Sequence, residues 1–264
     1  MDSYVSEDTL AVVKDIAIKA GLAIMDIYQQ DFSVYEKSDE SPLTEADLAA
    51  HKIICEQLKQ AFPTLPILSE ESTDITYEDR KNWQTFWLVD PLDGTKEFIK
   101  KNDEFTVNIA LIDQGRPVLG VVYVPALGVV YLGAEGLGAK KVEAGEETAI
   151  KVREYPKEQW IILGSRSHQS EHMVSYLQLF ERYELISRGS SLKFCMIAEG
   201  AADLYPRLGP TSEWDTAAAH AVVVAAGGVV NDKDGNPLRY NKENILNPWF
   251  FVHHKDLEIP TCSE

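Results

Sequence analysis

The alternation of apolar and polar positions changes character twice along the chain. Leu10, Val13, Ile16, Ala17, Ala20 and Ile24 recur at helical spacing and predict an amphipathic helix over residues 8–30. After the polar stretch Lys37-Ser-Asp-Glu-Ser-Pro-Leu, the run Thr44-Glu-Ala-Asp47 has the form of a capping box, with Thr44 as cap and Asp47 at the third helical position. That second helix is expected to reach Gln60 and stop before Pro63. From residue 65 short extended runs take over. Residues 65–68 form a strand-like piece ending at Ser69-Glu70-Glu71, and 72–84 read as loop. Strands are expected at 86–90 and 107–112, a hairpin at 118–125 and 128–132, and extended pieces from Gly136 and Val142 onward. This texture predicts a largely antiparallel sheet. Near Pro156 strands begin to alternate with helices: strand 161–163, helix 170–182, helix 191–199, a brief strand at Leu204, and a long helix over 213–226 closed by Gly227-Gly228. Strands at 229–230 and 250–253 end the chain's regular structure. The expected fold class is α/β (α+β): N-terminal helices packed on a largely antiparallel sheet, then a smaller α/β part with a second sheet. The boundary is placed near 155, giving subdomains 1–155 and 156–264.

Composition narrows the functional classes. With 264 residues and 45% hydrophobic content the chain can bury a sizeable core. A formal net charge of −17 repels nucleic acid polymers and anionic membranes at long range. It does not exclude a small anionic substrate, because bound divalent cations reverse the local potential. No apolar run has transmembrane length, and the polar, acidic start Met1-Asp-Ser-Tyr-Val-Ser-Glu is unlike a secretory signal. Cys55, Cys195 and Cys262 are odd in number and far apart, which suggests reduced thiols in a cytoplasmic protein.

The candidate chemistry lies in acids at element ends: Asp47, Glu70, Asp90, Asp93 and Asp215. Any one of them reads equally well as a cap or a solvated loop residue. Pro91 is expected to fix a turn that points Asp90 and Asp93 into one pocket, with the Leu92 carbonyl as a further ligand. Such an oxygen-rich set suits Mg²⁺, which pairs naturally with substrate phosphates. Gly94 and Thr95 are expected to open a helix whose free N–H groups offer a phosphate site, although the pair alone favours a plain turn and N-cap. Thr95 is suited to orienting a water whose proton Asp47 accepts. Asp215 falls in the first turn of the last long helix, where dipole stabilisation and metal ligation both explain an acid. Trp214 and His220 read as core packing.

These motifs carry a family resemblance. Asp90-Pro-Leu-Asp-Gly-Thr95 resembles the first signature of the inositol monophosphatase superfamily of Mg²⁺-dependent, lithium-sensitive phosphatases, and Trp214-Asp-Thr-Ala-Ala218 resembles the second. Ser69-Glu-Glu71 is similar to the family's acidic pair, and Ser41-Pro-Leu-Thr-Glu-Ala-Asp47 to its lead-in helix. Lys96-Glu-Phe98, Ser165-Arg-Ser-His168 and Gly189-Ser-Ser-Leu-Lys193 are most similar to the CysQ branch, the 3′(2′),5′-bisphosphate nucleotidases of sulfur metabolism. The resemblance implies a layered sandwich of the sugar-phosphatase type. It implies hydrolysis of adenosine 3′,5′-bisphosphate to AMP and phosphate with two or three Mg²⁺; an inositol or other sugar monophosphatase is the alternative. It implies that Glu70, Asp90, Leu92, Asp93 and Asp215 hold metal and that Asp47 and Thr95 activate water. Glu70, Asp93, Gly94, Thr95, Glu213 and Asp215 are expected to meet the substrate around the scissile phosphate and sugar. Ser165, Arg166, His168, Gly189, Ser190, Lys193 and Arg207 are expected to line the remainder, the basic ones facing the second phosphate. The expected partner is a small phosphorylated nucleotide, with no nucleic acid polymer and no integral membrane association. Peripheral contact with the cytoplasmic face of the inner membrane, and the choice between monomer and homodimer, stay open.

Overall fold

Helix α1 (Glu7–Tyr28) starts where Ser6 turns the chain: Ser6 Oγ accepts the Thr9 N–H at 3.1 Å. In this computed structural model residues 4–36, 42–72, 74–156, 158–166 and 171–260 are described. A short antiparallel pair, β1 (Val34–Glu36) and β2 (Pro42–Thr44), leads into α2 (Glu45–Ala61). Then come β3 (Ile67–Ser69), the single turn α3 (Tyr77–Arg80) inside the stretch expected to be loop, β4 (Thr85–Asp93), and α4 (Thr95–Ile99). Strands β5 (Thr106–Asp113), β6 (Arg116–Val124), β7 (Val129–Ala134), β8 (Gly138–Glu143) and β9 (Glu146–Ile150) complete a seven-stranded sheet in sequential order. Only the β3–β4 pair is parallel.

The second sheet takes β10 (Trp160–Ser165), β11 (Tyr183–Arg188), β12 (Leu204–Arg207), β13 (Gly228–Asp232) and β14 (Phe250–His254) in the order β11-β10-β12-β14-β13. Helices α5 (Glu171–Leu177), α6 (Leu192–Ala198) and α7 (Glu213–Ala225) alternate with these strands. β10 pairs parallel with β11 and β12, as helical crossovers require, and the last pairs are antiparallel. Strand β11 escapes the pattern reading because it is a sheet edge: Tyr183, Glu184 and Leu185 are exposed and show no core periodicity. Helix α5 also ends five residues earlier than the expected 182.

Both faces of the seven-stranded sheet are covered, which is why its central strands are continuous apolar runs. Trp87, Val89, Ile109 and Leu111 face α1 and α2, while Phe86, Leu88, Ala110 and Ile112 face α6 and α7. Beyond α6 and α7 lies the second sheet, whose outer face carries α5 through Ile162, Tyr176 and Phe251. The layers run helix, sheet, helix, sheet, helix. Helix α7 lies so close to β6 that a Cβ on Gly120 would sit 2.0 Å from the Ala218 carbonyl oxygen. One apolar cluster therefore joins residues on both sides of 155, including Val122, Phe194, Val222 and Val252. At the crossing Arg153 donates to the buried Asp203 at 3.1 Å, and Asp203 also accepts the Ile161 N–H at 2.7 Å. Among the described residues no helix is long and apolar enough to cross a membrane, and Cys55 and Cys195 are free thiols; Cys262 and the segment 37–41 lie outside the described residues.

Candidate active site

In a regular strand Asp90 and Asp93, three residues apart, would point to opposite faces. The ladder corrects this. Asp90 pairs with Asn108 and Asp93 with Thr106, so β4 spends three steps where β5 spends two. The extra residue is a β-bulge at Pro91-Leu92, not the turn expected from the sequence. Proline has no N–H to lose from the ladder, so the bulge is cheap there. Leu92 N–H donates to Asp90 Oδ1 at 3.0 Å, which fixes the kink from inside. Glu70 stands beside Asp90 because β3 pairs with β4 in parallel and the Glu70 N–H continues the ladder to Val89 O at 3.0 Å.

Two further acids come from capping boxes. Asp47 Oδ2 accepts the Thr44 N–H at 2.7 Å and the Thr44 hydroxyl at 2.6 Å, which leaves Oδ1 to accept from Thr95 Oγ1 at 3.2 Å. Asp215 Oδ2 accepts the Ser212 N–H at 2.8 Å, and its carbonyl accepts from Ser191 Oγ at 2.9 Å. Each cap uses one carboxylate oxygen to hold its helix and leaves the other for the site.

The result is a cluster of oxygen donors. Ligand atoms of Glu70, Asp90 and Asp215 all lie within 4.8 Å of one another. Burial, then the charges of Glu70, Asp93 and Asp215, hold the Asp90 carboxyl well above the usual carboxylate range. Burial, then Asp93 and Glu70, do the same to Asp215. Burial raises Asp93 as well, against the pull of Lys193, Ser191 and Asn108. Crowded buried carboxylates are costly without a cation. An all-oxygen donor set with this much uncompensated negative charge fits a hard divalent ion.

A cavity of about 440 Å³ opens in front of the cluster. On the near side Gly94 caps α4 with φ +92°, a conformation that favours glycine, and exposes the first N–H groups of that short helix. Thr95 Oγ1 lies 3.3 Å from the Leu92 carbonyl oxygen. Basic residues line the same cavity. Lys193 is buried, donates to the carbonyls of Arg188 at 3.1 Å and Ser190 at 2.6 Å, and is pushed down to about 8 by burial. Arg207 Nη2 donates to Pro210 O at 2.8 Å. Its Nε, and Ser190 Oγ, are buried with no hydrogen-bond partner in the protein, although both residues line the cavity. Ser165 and Gly189 line it too.

Not every residue singled out from sequence reaches this cavity. Arg166 is turned to Glu104, donating at 2.9 and 2.7 Å. Glu213 is fully buried beneath the wall, where Oε1 accepts from Lys242 Nζ at 2.7 Å and Oε2 from the Asn241 N–H at 2.7 Å. His168 lies outside the described residues, as does Ser41 of the lead-in segment. His220 is the core residue expected: it meets Tyr240 Oη at 2.8 Å, and burial pushes its pKa down to about 3. Sequence reasoning missed Ser191, whose hydroxyl lies 3.0 Å from Asp93 Oδ2 and 3.0 Å from the donating Asn108 Nδ2. It also missed Thr106, Asn108 and Tyr205. Two of these are polar residues inside β5, an otherwise apolar strand, and that is a readable signal.

Comparison with known proteins gives the family. Residues 6–257 match the model of the inositol monophosphatase family. The chain is 52% identical over 246 residues to the 3′(2′),5′-bisphosphate nucleotidase CysQ of Salmonella typhimurium, covering 92% of this chain and 98% of that one. It is also 52% identical to the Escherichia coli protein of the same name, over 91% and 97% of the two chains. Among solved structures, CysQ from Bacteroides thetaiotaomicron superposes with a TM-score of 0.84 at 42% identity, covering 95% and 98%. An inositol monophosphatase from Anabaena gives 0.75 at 25% identity, covering 94% and 90%.

Proposed function

This chain belongs to the inositol monophosphatase family, and from that premise we propose that it is a 3′(2′),5′-bisphosphate nucleotidase hydrolysing adenosine 3′,5′-bisphosphate to AMP and phosphate. The family is metal-dependent, and Mg²⁺, as two or three ions, is the metal we assign. The observation that carries the reading is the meeting of two donor sets in one cavity: clustered acids, and beside them Lys193, Arg207 and Ser190, of which Arg207 Nε and Ser190 Oγ have no partner in the protein. A substrate with two phosphates answers both.

Glu70, Asp90, Asp93, Asp215 and the Leu92 carbonyl would hold the ions. When bound, Mg²⁺ neutralises the phosphoryl oxygens and lowers the pKa of water. Residues 1–155 supply most of this set, and 156–264 add Asp215 and the second-anion wall. The N–H groups following Gly94 receive the scissile phosphate. Thr95 Oγ1 donates to Asp47 Oδ1, so its lone pair faces the attacking water and takes that water's proton as its own moves to Asp47. The water oxygen forms the new P–O bond, the bond to the ribose oxygen breaks, and that oxygen takes a proton from solvent. Lys193, Arg207 and Ser190 hold the second phosphate, away from the reacting atoms.

Phosphate release from adenosine 3′,5′-bisphosphate and from inositol 1-phosphate, with and without Mg²⁺, tests the reading. Faster Mg²⁺-dependent turnover of the bisphosphate is expected; equal or faster turnover of the inositol ester would overturn it.

A further inference from the structure

Glu104 packs against both of the turns that meet anions, which also touch each other where Ser190 Cβ lies 3.2 Å from the place a Cβ on Gly94 would occupy, and the mechanism above does not use it. Its carbonyl oxygen lies 3.0 Å from the place a Cβ on Gly94 would occupy and 2.8 Å from the place a Cβ on Gly189 would occupy. One residue's main chain is thus wedged against both turns. Its side chain then grips the second turn. Oε2 accepts the Gly189 N–H at 2.7 Å and Arg166 Nε at 2.9 Å, and Oε1 accepts Arg166 Nη2 at 2.7 Å. The carboxylate is 13% exposed, whereas Arg166 is 45% exposed. The inner half of this bidentate pair is therefore shielded, unlike a solvated surface pair.

The turn being gripped needs holding. Ser190 has φ +41°, a costly conformation for serine. Lys193 holds it from the other side through the carbonyls of Arg188 and Ser190. Strained backbone persists where its surroundings over-determine it, and here the carboxylate and the ammonium do so together. Ser190 Oγ, buried with no partner, is what the strained turn presents.

We infer that Glu104 is a positioning residue that holds the Gly189–Lys193 turn in place against the Gly94-Thr95 cradle, and so favours substrates whose second phosphate can reach that turn while the first occupies the cradle. The inference rests on the bisphosphate reading above. A substrate with one phosphate engages the cradle alone and is indifferent to where the second turn sits. A substrate with two is sensitive to it. Arg166 acts here as the outer clamp on Glu104.

The test compares adenosine 3′,5′-bisphosphate with adenosine 3′-phosphate, which shares the scissile group and lacks the second. Glu104→Ala should raise KM for the bisphosphate roughly tenfold, about 1.4 kcal/mol, while its kcat and both constants for the 3′-phosphate stay within about twofold. Glu104→Gln keeps the shape and an acceptor for the Gly189 N–H and should fall between wild type and Glu104→Ala. Arg166→Ala, at an exposed position, should resemble Glu104→Gln. Equal losses on both substrates, or no differential effect in Glu104→Gln and Arg166→Ala, would overturn the inference even if Glu104→Ala fails to fold. A wild-type enzyme inactive on the bisphosphate would instead overturn the parent reading, and this inference with it.

Discussion

Removing the Ser191 hydroxyl should damage metal binding and stability together. The side chain is 1% exposed and its oxygen has three partners: Asp93 Oδ2 at 3.0 Å, the Asp215 carbonyl at 2.9 Å and the donating Asn108 Nδ2 at 3.0 Å. A hydroxyl has one proton, so it serves one of the two acceptors at a time. Ser191→Ala leaves the Asn108 amide short of an acceptor and removes a donor from a buried carboxylate. A buried group left unsatisfied costs about 1–3 kcal/mol. For chains of roughly this length that is about 2–4 °C in Tm per kcal/mol. The same bond helps keep Asp93 ionised, so its loss raises that carboxyl further and makes protons better competitors for the cation. Loss of a partner that orients a metal ligand typically weakens metal affinity about 10–100-fold. The assay is Mg²⁺-activated phosphate release at fixed pH, paired with thermal melting with and without Mg²⁺. A rightward shift of the Mg²⁺ curve and a lower Tm are expected. A lower Tm with an unchanged Mg²⁺ curve would refute the argument, because Ser191 would then be scaffold alone.

Three further outcomes follow from the same structure. Lys193, pushed down to about 8, must be charged to hold an anion, so KM for the bisphosphate should climb as pH passes about 8 while KM for adenosine 3′-phosphate holds; parallel curves would remove Lys193 from that role. His220 is pushed down from 6.5 to about 3, so between those values the unfolded chain binds the extra proton and stability falls as pH falls. His220→Gln should flatten that slope in pH-dependent denaturant melts, and an unchanged slope would contradict it. Gly120→Ala should cost about 3 kcal/mol through overpacking, since its Cβ meets the Ala218 carbonyl at 2.0 Å; an unchanged Tm would mean that α7 can shift.

How far the sequence discloses this site is clearest from its capping boxes. Asp47, Asp79 and Asp215 each sit at the third position of a helix and accept from a Ser or Thr cap. Locally the three are alike. Asp79 serves an exposed turn at α3, whereas Asp215 lines the cavity and Asp47, on the other side of the sheet, accepts from the cavity-lining Thr95. Motif chemistry is legible because it depends on neighbours in sequence; convergence is not, because it depends on layer packing. The signature around Asp90 shows the same division. Its residues announce oxygen donors, but their common face comes from a bulge that only the pairing with β5 reveals. Arg166 is singled out by its charge and Glu213 by the family resemblance, and the fold spends both charges elsewhere, on Glu104 and on Lys242. Ser191 stands inside the Gly189–Lys193 motif with no role of its own legible there, yet it ties β4, β5 and α7 together.

The electrostatics of the cavity argue for its substrate more firmly than either wall does alone. On the acidic side, Asp90 and Asp215 are held well above the usual range because burial and mutual repulsion disfavour their charges. A bound cation offsets that penalty and favours the charged forms. Once it does, that side attracts a phosphoryl group despite a chain charge of −17. In the same cavity Lys193 gives up part of its basicity to burial, and Arg207 Nε and Ser190 Oγ have no partner in the protein. Donors left in this state discriminate strongly, because a ligand that fails to meet them leaves them dry and unpaired. A monoester with one phosphate satisfies the cation side and leaves the second wall unanswered. A nucleotide with phosphates at both ends of its ribose satisfies both, and Glu104, packed against both turns, holds the second donor set in place for it.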